Sequence, residues 1–320
     1  MATLLCFDIF RVYLNSPILQ FSAVFPLTAE TGETPVFDHI QAFYQPTSVR
    51  EAVRLLQGGR GRVVAGGTDL SQLQDRSIKF LVDVKHLGID FIRRDANGCD
   101  IGAACTMAEI ENSPIVRGLA GGILSQAAAT CGSIQIRNLA TLGGNLANGS
   151  PAADTATPLL AMDASVVLQN ERGRKRMTLQ EFFAIPERSR TSSGLLVQIF
   201  IPKSKGRGGW SFQKFGRTET DIAVVNCAVG LMVAKDGSCT LARIAMGAVS
   251  PAPMRATKAE ALLVGKPVTA EAIETAVESV AREVQPISDQ RASAEYRREI
   301  SHVLARRALQ ECARQAGCTL

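Results

Sequence analysis

Two glycine-rich stretches constrain this chain more than any other part of it: AGGTDL at Ala65–Leu70 and TLGGNLANGSPAAD at Thr141–Asp154. Each follows an apolar segment and carries a pair of adjacent glycines, where the backbone can adopt positive φ and approach another backbone or a bulky anion closely. Neither contains a histidine, cysteine or lysine, so their chemistry is binding through peptide N–H groups. Thr68, Thr141, Asn145, Asn148 and Ser150 add hydroxyl and amide groups, and Asp154 ends the second stretch with a carboxylate able to accept hydrogen bonds from a polyol. The pair reads either as two structural turns or as a clamp for a pyrophosphate.

The surrounding text is regular from Phe37 onward. FYQPTSVREAVRLLQ predicts a strand end, a turn at Pro46 and an amphipathic helix capped by Thr47 or Ser48. Glu51 falls in its first turn, and Ala52, Val53, Leu55 and Leu56 face the core. Strands are expected at Val63–Ala65, in KFLVDVKHL, and in GCDIGAACT after the Asn97-Gly98 turn. Helices are expected from Thr106 through MAEIENSPIV and over Gly118–Thr130, with a helical turn at Thr157–Ala161. SVVLQ and GLLVQIFIP are strands, and PKSKGRGG reads as an interdomain linker. The rhythm then changes. WSFQKFG, IAVVNCAVGLMVA and TLARIAMGAVS are three strand-like runs, followed by helices at about Ala270–Glu283 and Ala292–Cys312. Strands followed by helices predict an α+β layer with helices on one face. The Arg and Glu interspersed with Ile300, Val303, Leu304 and Leu309 form the solvated face of the last helix.

Composition removes several function classes. A net charge of +5 over 320 residues, 5% aromatic residues and a single tryptophan argue against nucleic acid. The cysteines Cys6, Cys99, Cys105, Cys131, Cys227, Cys239, Cys312 and Cys318 form no CxxC pair and no zinc spacing with a histidine. They read as reduced thiols of a cytoplasmic protein that binds neither a metal nor an iron–sulfur cluster itself. The first 36 residues are apolar but interrupted by Asp8, Arg11 and Asn15, so they fit neither a secretory signal nor a membrane span. They read as an extension of uncertain status, an appended tail or a start placed too far upstream. GxGxxG, GxxxxGK and GxSxG are all absent, which disfavours Rossmann, phosphate-loop and hydrolase sites. His39, His86 and His302 lie beside no plausible nucleophile and read as packing or surface residues. Any chemistry would then belong to a cofactor, with the chain supplying binding and electrostatics. Lys214 in FQKFGR is the best-placed cation.

Taken together, AGGTDL, IRNLATLGGNLANGSPAADTATPLLAMDASVVL, FGRTETDIAVVNCAVG and QPISDQRASAEYRREIS resemble the FAD-binding medium subunit of the molybdenum hydroxylases. That family includes xanthine, carbon monoxide and nicotinate dehydrogenases. The resemblance runs from about Phe37 to the C-terminus, and the last segment looks most like bacterial xanthine dehydrogenase flavin subunits. It implies an α+β fold: a two-subdomain FAD-binding domain of PCMH or vanillyl-alcohol-oxidase type over residues 37–204, then a C-terminal α+β domain over 205–320 with a small antiparallel sheet and helices. It implies non-covalent FAD. Arg62, Val63, Val64, Ala65, Gly66, Gly67, Thr68 and Asp69 match the first FAD loop. Thr141, Leu142, Gly143, Gly144 and Asn145 match the second, also around the diphosphate. Asn148 and Asp154 fall where the family contacts the ribityl and phosphate region, and Leu195 where it makes an apolar contact. Phe212 and Lys214 match the aromatic residue and lysine that approach the isoalloxazine ring, although the lysine position shifts by one between members and Gln213 shares it.

The implied activity is that of an oxidoreductase subunit. A molybdopterin-binding large subunit oxidises a substrate, expected to be xanthine, another purine or an N-heterocycle. Electrons pass through 2Fe–2S clusters of a small subunit to FAD and on to NAD or another acceptor. Lys214 would tune the flavin electrostatically, with no other catalytic residue on this chain. A carbon monoxide or aldehyde dehydrogenase-type complex, a stand-alone flavin oxidase and a scaffold without cofactor are the alternatives.

Overall fold

The computed structural model describes residues 39–70, 75–186 and 193–320. The expected N-terminal extension over residues 1–36 lies outside them. Strand β1 (Ala42–Tyr44) leads into helix α1 (Val49–Leu56), whose N-cap Ser48 accepts from the Glu51 N–H while Ala52, Val53 and Leu56 are buried. Strands β2 (Gly61–Val64) and β3 (Phe80–Asp83) complete a parallel three-stranded sheet in the order β1-β3-β2.

A second sheet follows. It is antiparallel and five-stranded, ordered β4-β5-β8-β6-β7, from β4 (Ile92–Arg94), β5 (Gly98–Gly102), β6 (Ser165–Asn170), β7 (Gly173–Thr178) and β8 (Leu195–Pro202). Between β5 and β6 lie α2 (Met107–Asn112), α3 (Pro114–Arg117), α4 (Ile123–Ala129), α5 (Ile134–Arg137), α6 (Leu142–Asn148) and α7 (Ala156–Ala161). Helix α8 (Leu179–Ala184) follows β7 behind a capping box of Thr178 and Glu181.

Two local expectations are corrected here. The Gly118–Thr130 segment is not one helix: Ala120, Gly121 and Gly122 all have positive φ, and α4 begins only at Ile123. The chain turns there because two glycines permit left-handed backbone that a helix excludes. TLGGNLANGSPAAD is not wholly a loop, since Leu142–Asn148 is helix α6. Leu142 and Leu146 sit one turn apart and are both buried, and Thr141 caps the helix. Burying two leucines, at about 1.5–3 kcal/mol each, outweighs a cost of roughly 1 kcal/mol per glycine in a helix.

The C-terminal part is a four-stranded antiparallel sheet ordered β12-β11-β10-β9, from β9 (Arg207–Phe215), β10 (Val225–Val233), β11 (Cys239–Gly247) and β12 (Met254–Arg255). Helices α9 (Thr257–Leu263), α10 (Ala270–Glu283) and α11 (Ala294–Gln315) follow. Every residue of β10 is buried. Cys227, Val229 and Leu231 join a core with α10 and α11. On the other face Ala228 and Ala245 join the core of the N-terminal part, with Trp210 and Phe212 packed beside them. Both faces of this sheet are therefore covered, one by its own helices and one by α4, α7 and their surroundings. The expectation of helices on one face holds only for one side. The second cover comes from residues distant in sequence, which local periodicity does not reveal.

Candidate functional site

The first glycine stretch leaves the C-terminal end of parallel strand β2. Gly67 has φ of 72°, and a Cβ built on Gly66 would lie 1.9 Å from the Leu139 carbonyl oxygen. Gly66 is thus the contact through which the first stretch touches the lead-in to α6. The N–H groups of Gly66, Gly67, Thr68 and Asp69 donate to no acceptor among the described residues, whereas Leu70 N–H bonds back to the Gly67 carbonyl at 3.1 Å. Four successive donors without a partner among the described residues, arranged around a left-handed glycine, leave a stretch of backbone from which an anion could accept hydrogen bonds. Arg62, Val63 and Val64 lie on β2 behind it, with Ala65 half-buried at its start and Asp69 exposed at its end.

The second stretch is built differently. Leu142 N–H donates to the Cys105 carbonyl at 2.9 Å and Gly143 N–H to the Ala103 carbonyl at 2.8 Å. Gly144 N–H donates to the Thr141 hydroxyl at 3.1 Å and Asn145 N–H to the Thr141 carbonyl at 2.9 Å. All four donors at this helix start are occupied, because Thr141 is its N-cap and the preceding backbone is stitched to the end of β5. Gly143 is required for packing, since a Cβ there would sit 2.6 Å from both the Cβ and the carbonyl oxygen of Ala103. Gly144 is exposed. Asn145 accepts from the Thr155 hydroxyl at 2.7 Å, and Asn148 is half-buried at the helix end. This stretch shapes the wall; the first offers the open donors.

Asp154 and Lys214 meet at the seam between the two parts of the chain. Lys214 Nζ lies 2.7 Å from Asp154 Oδ2 and 2.8 Å from the Thr130 carbonyl, and both side chains are 7% exposed. Asn226, opposite Lys214 in the β9–β10 register, donates through Nδ2 to Asp154 Oδ1 at 3.0 Å and accepts from the Thr157 hydroxyl at 3.1 Å. Burial pushes the Asp154 carboxyl up, while the Lys214 charge and the Asn226 amide pull it back. Cys131 Sγ is 4.0 Å from Asp154 Oδ2, and burial, then the neighbouring carboxylate, raise its thiol to about 12. Removing one partner from such a buried pair leaves an uncompensated charge.

The structure thus brings Asp154 and Lys214 into one cluster, and sets the first glycine stretch at Gly66 against Leu139 and Ala140, just before the second stretch begins. Leu195 is buried at the start of β8, and Phe212 is half-buried two residues before Lys214 on the same face of β9. Asn226, Thr157 and Thr130 were not anticipated. For Asn226 the signal was present, as an amide within the apolar run IAVVNCAVGLMVA calls for a buried partner. Among the described residues no helix is long and apolar enough to cross a membrane.

Comparison with known proteins matches this architecture. Residues 37–204 match the FAD binding domain in molybdopterin dehydrogenase, and residues 210–312 match the CO dehydrogenase flavoprotein C-terminal domain. The nicotinate dehydrogenase FAD-subunit of Eubacterium barkeri is 32% identical over 80% of this chain and 90% of its own length. The xanthine dehydrogenase FAD-binding subunit of Escherichia coli O157:H7 is 31% identical, covering 86% of this chain and 97% of the relative. A solved structure of carbon monoxide dehydrogenase from Hydrogenophaga pseudoflava, one lacking the Mo-pyranopterin moiety, superposes with a TM-score of 0.79 at 30% identity. It covers 87% of this chain and 98% of that one. These near-equal identities to relatives named for different substrates single out no substrate.

Proposed function

The chain belongs to the FAD-binding medium subunits of the molybdenum hydroxylases, and from that premise we propose that it holds FAD non-covalently and relays electrons within a three-subunit complex. The observation that carries this reading is the run of N–H groups from Gly66 to Asp69 that have no partner among the described residues, set against Leu139 just before α6. In this assignment the open donors of that loop hold the diphosphate. Thr141, Gly144, Asn145 and Asn148 line the neighbouring wall, Leu195 gives an apolar contact, and Phe212 and Lys214 stand toward the flavin ring. Lys214 keeps a third N–H beyond its bonds to Thr130 and Asp154, which lets it act on the ring electrostatically while Asp154 fixes its position. The bound flavin would supply one- and two-electron transfer. Cys131, its thiol raised to about 12, is a poor nucleophile for covalent attachment.

The proposed partners are a molybdopterin-binding large subunit and a small subunit with 2Fe–2S clusters, with NAD or another acceptor downstream. A xanthine, purine or N-heterocycle substrate is chosen by the large subunit. The seven described cysteines are all unpaired, which favours the cytoplasm. The test is reconstitution of the purified chain with FAD, and its co-purification with a molybdopterin-binding chain and a 2Fe–2S chain from its native source. A yellow protein that releases intact FAD on denaturation and retains both chains is expected. A chain that stays colourless after FAD addition would overturn the proposal.

A further inference from the structure

Arg297 lies far along the chain from either glycine stretch, and its side chain is 4% exposed. Its Nη1 donates to the Val224 carbonyl at 2.7 Å and the Ala248 carbonyl at 3.1 Å, and its Nη2 to Asp289 Oδ1 at 2.7 Å. Its Nε has no partner among the described residues. Burying a guanidinium is costly, and here two backbone carbonyls and one carboxylate compensate it. Val224 immediately precedes β10 and Ala248 immediately follows β11, so one side chain ties the paired ends of these two strands. Asn226 and Gly247 face each other at that end.

From there the connection to Asp154 is short. Ala248 is a non-glycine residue with φ of 63°, and its N–H donates to the Pro151 carbonyl at 2.6 Å. That left-handed conformation disfavours alanine, and it persists because its N–H and C=O are both bonded. A Cβ on Gly247 would lie 2.2 Å from Asn226 Oδ1 and 3.2 Å from the Pro151 oxygen. The Asn226 amide reaches the Ala152 carbonyl at 3.5 Å as well as Asp154. Every link from the guanidinium to the carboxylate is a hydrogen bond, a close backbone contact or at most two residues of chain.

We infer that Arg297, set by Asp289, is a positioning residue for the flavin site: it fixes the ends of β10 and β11 so that Asn226 and the Pro151 segment hold Asp154 against Lys214. This rests on the proposed placement of Asp154 and Lys214 beside the flavin. A lysine at 297 keeps the charge but cannot bond two carbonyls and a carboxylate in the same planar fork.

The test is a double-mutant cycle on the full chain with Arg297→Lys, Asp154→Asn and the pair, read as FAD affinity by fluorescence titration and as the midpoint potential of the bound flavin. Each single variant is expected to weaken FAD roughly tenfold and to shift the potential. In the double variant the Arg297→Lys increment should disappear, because it acts through Asp154. Additive increments overturn the inference, as does an Arg297→Lys protein with lowered Tm but unchanged potential and affinity. If Arg297→Lys fails to fold, Asp289→Asn takes its place in the same cycle. If Asp154→Asn itself changes neither readout, the flavin-site placement fails and the inference with it. If Asp154→Asn changes both and Arg297→Lys neither, only the positioning role fails.

Discussion

Gly66 carries a demand that no other residue type meets, because its Cα lies where any Cβ would enter the Leu139 carbonyl. Gly66→Ala must push the first loop away from Leu139 or shift Leu139 itself, and forced backbone shifts of this kind cost about 1–3 kcal/mol. FAD affinity is expected to fall roughly 10- to 100-fold with far-ultraviolet circular dichroism unchanged; wild-type affinity in a fluorescence titration would refute the loop contact. Asp289 gives a prediction in pH. Its carboxyl is held down at about 2, from an ordinary 3.8, by the Arg291 backbone N–H first and by the Arg297 guanidinium. A carboxyl lowered in the folded state stabilises above its unfolded value, and that contribution is lost as pH falls from about 4 to about 2. Asp289→Asn should therefore be less stable than wild type at neutral pH, with the gap in urea midpoint closing across that acid window. The two glycine stretches and Asp154 stand out in the sequence as small polar loops ending on a carboxylate, and Lys214 stands out through the family resemblance; that Asp154 and Lys214 pair is not legible there. Their other hydrogen-bond partners are not legible either, since Asn226 and Thr130 meet them only through the fold.

Elements were legible where periodicity and caps agreed, and not where glycine conformation decided. Helix α10 was readable to its ends because Thr269 caps it and Ile273, Ala276, Val277 and Val280 repeat at helical spacing. Strand β7, GRKRMT, carries no strand signature in sequence because it lies at a sheet edge with almost no apolar residue to mark it. Helix α6 reads as a loop in sequence because its glycines conceal the Leu142–Leu146 stripe. Its occupied donors lead to a prediction that separates architecture from ligand contact. Thr141→Ala removes the cap, which should cost about 1 kcal/mol and lower Tm by about 2 °C, while weakening FAD less than Gly66→Ala does. The opposite result, an unchanged Tm with a larger loss of affinity than Gly66→Ala, would mean that the α6 donors rather than those of the first loop face the cofactor.

At the scale of the molecule, the C-terminal sheet behaves as a middle layer. Its small residues Ala228, Gly230, Ala245 and Gly247 face the N-terminal part, and Gly230 leaves the space filled by the Trp210 ring, 2.3 Å from where its Cβ would be. Two charged clusters fasten that contact on either side of α7. One is Asp154 with Lys214; the other is Asp163, which meets Arg243 at 2.7 Å and Arg255 at 2.7 Å. Arg255 also pairs with buried Glu260, whose carboxylate accepts from the Ile244 N–H at 2.8 Å. The sequence rhythm divides the chain at its linker, but a core shared across the seam argues that neither part unfolds alone. Calorimetry of the full chain should give a single transition with the calorimetric and van't Hoff enthalpies equal. Arg255→Met should lower its temperature, because Glu260 is then left buried and unpaired at a cost of about 3–5 kcal/mol, yet the transition should remain single. Two resolved transitions in the wild type would mean that the seam is only a docking contact, and that the C-terminal part does not hold the flavin site together.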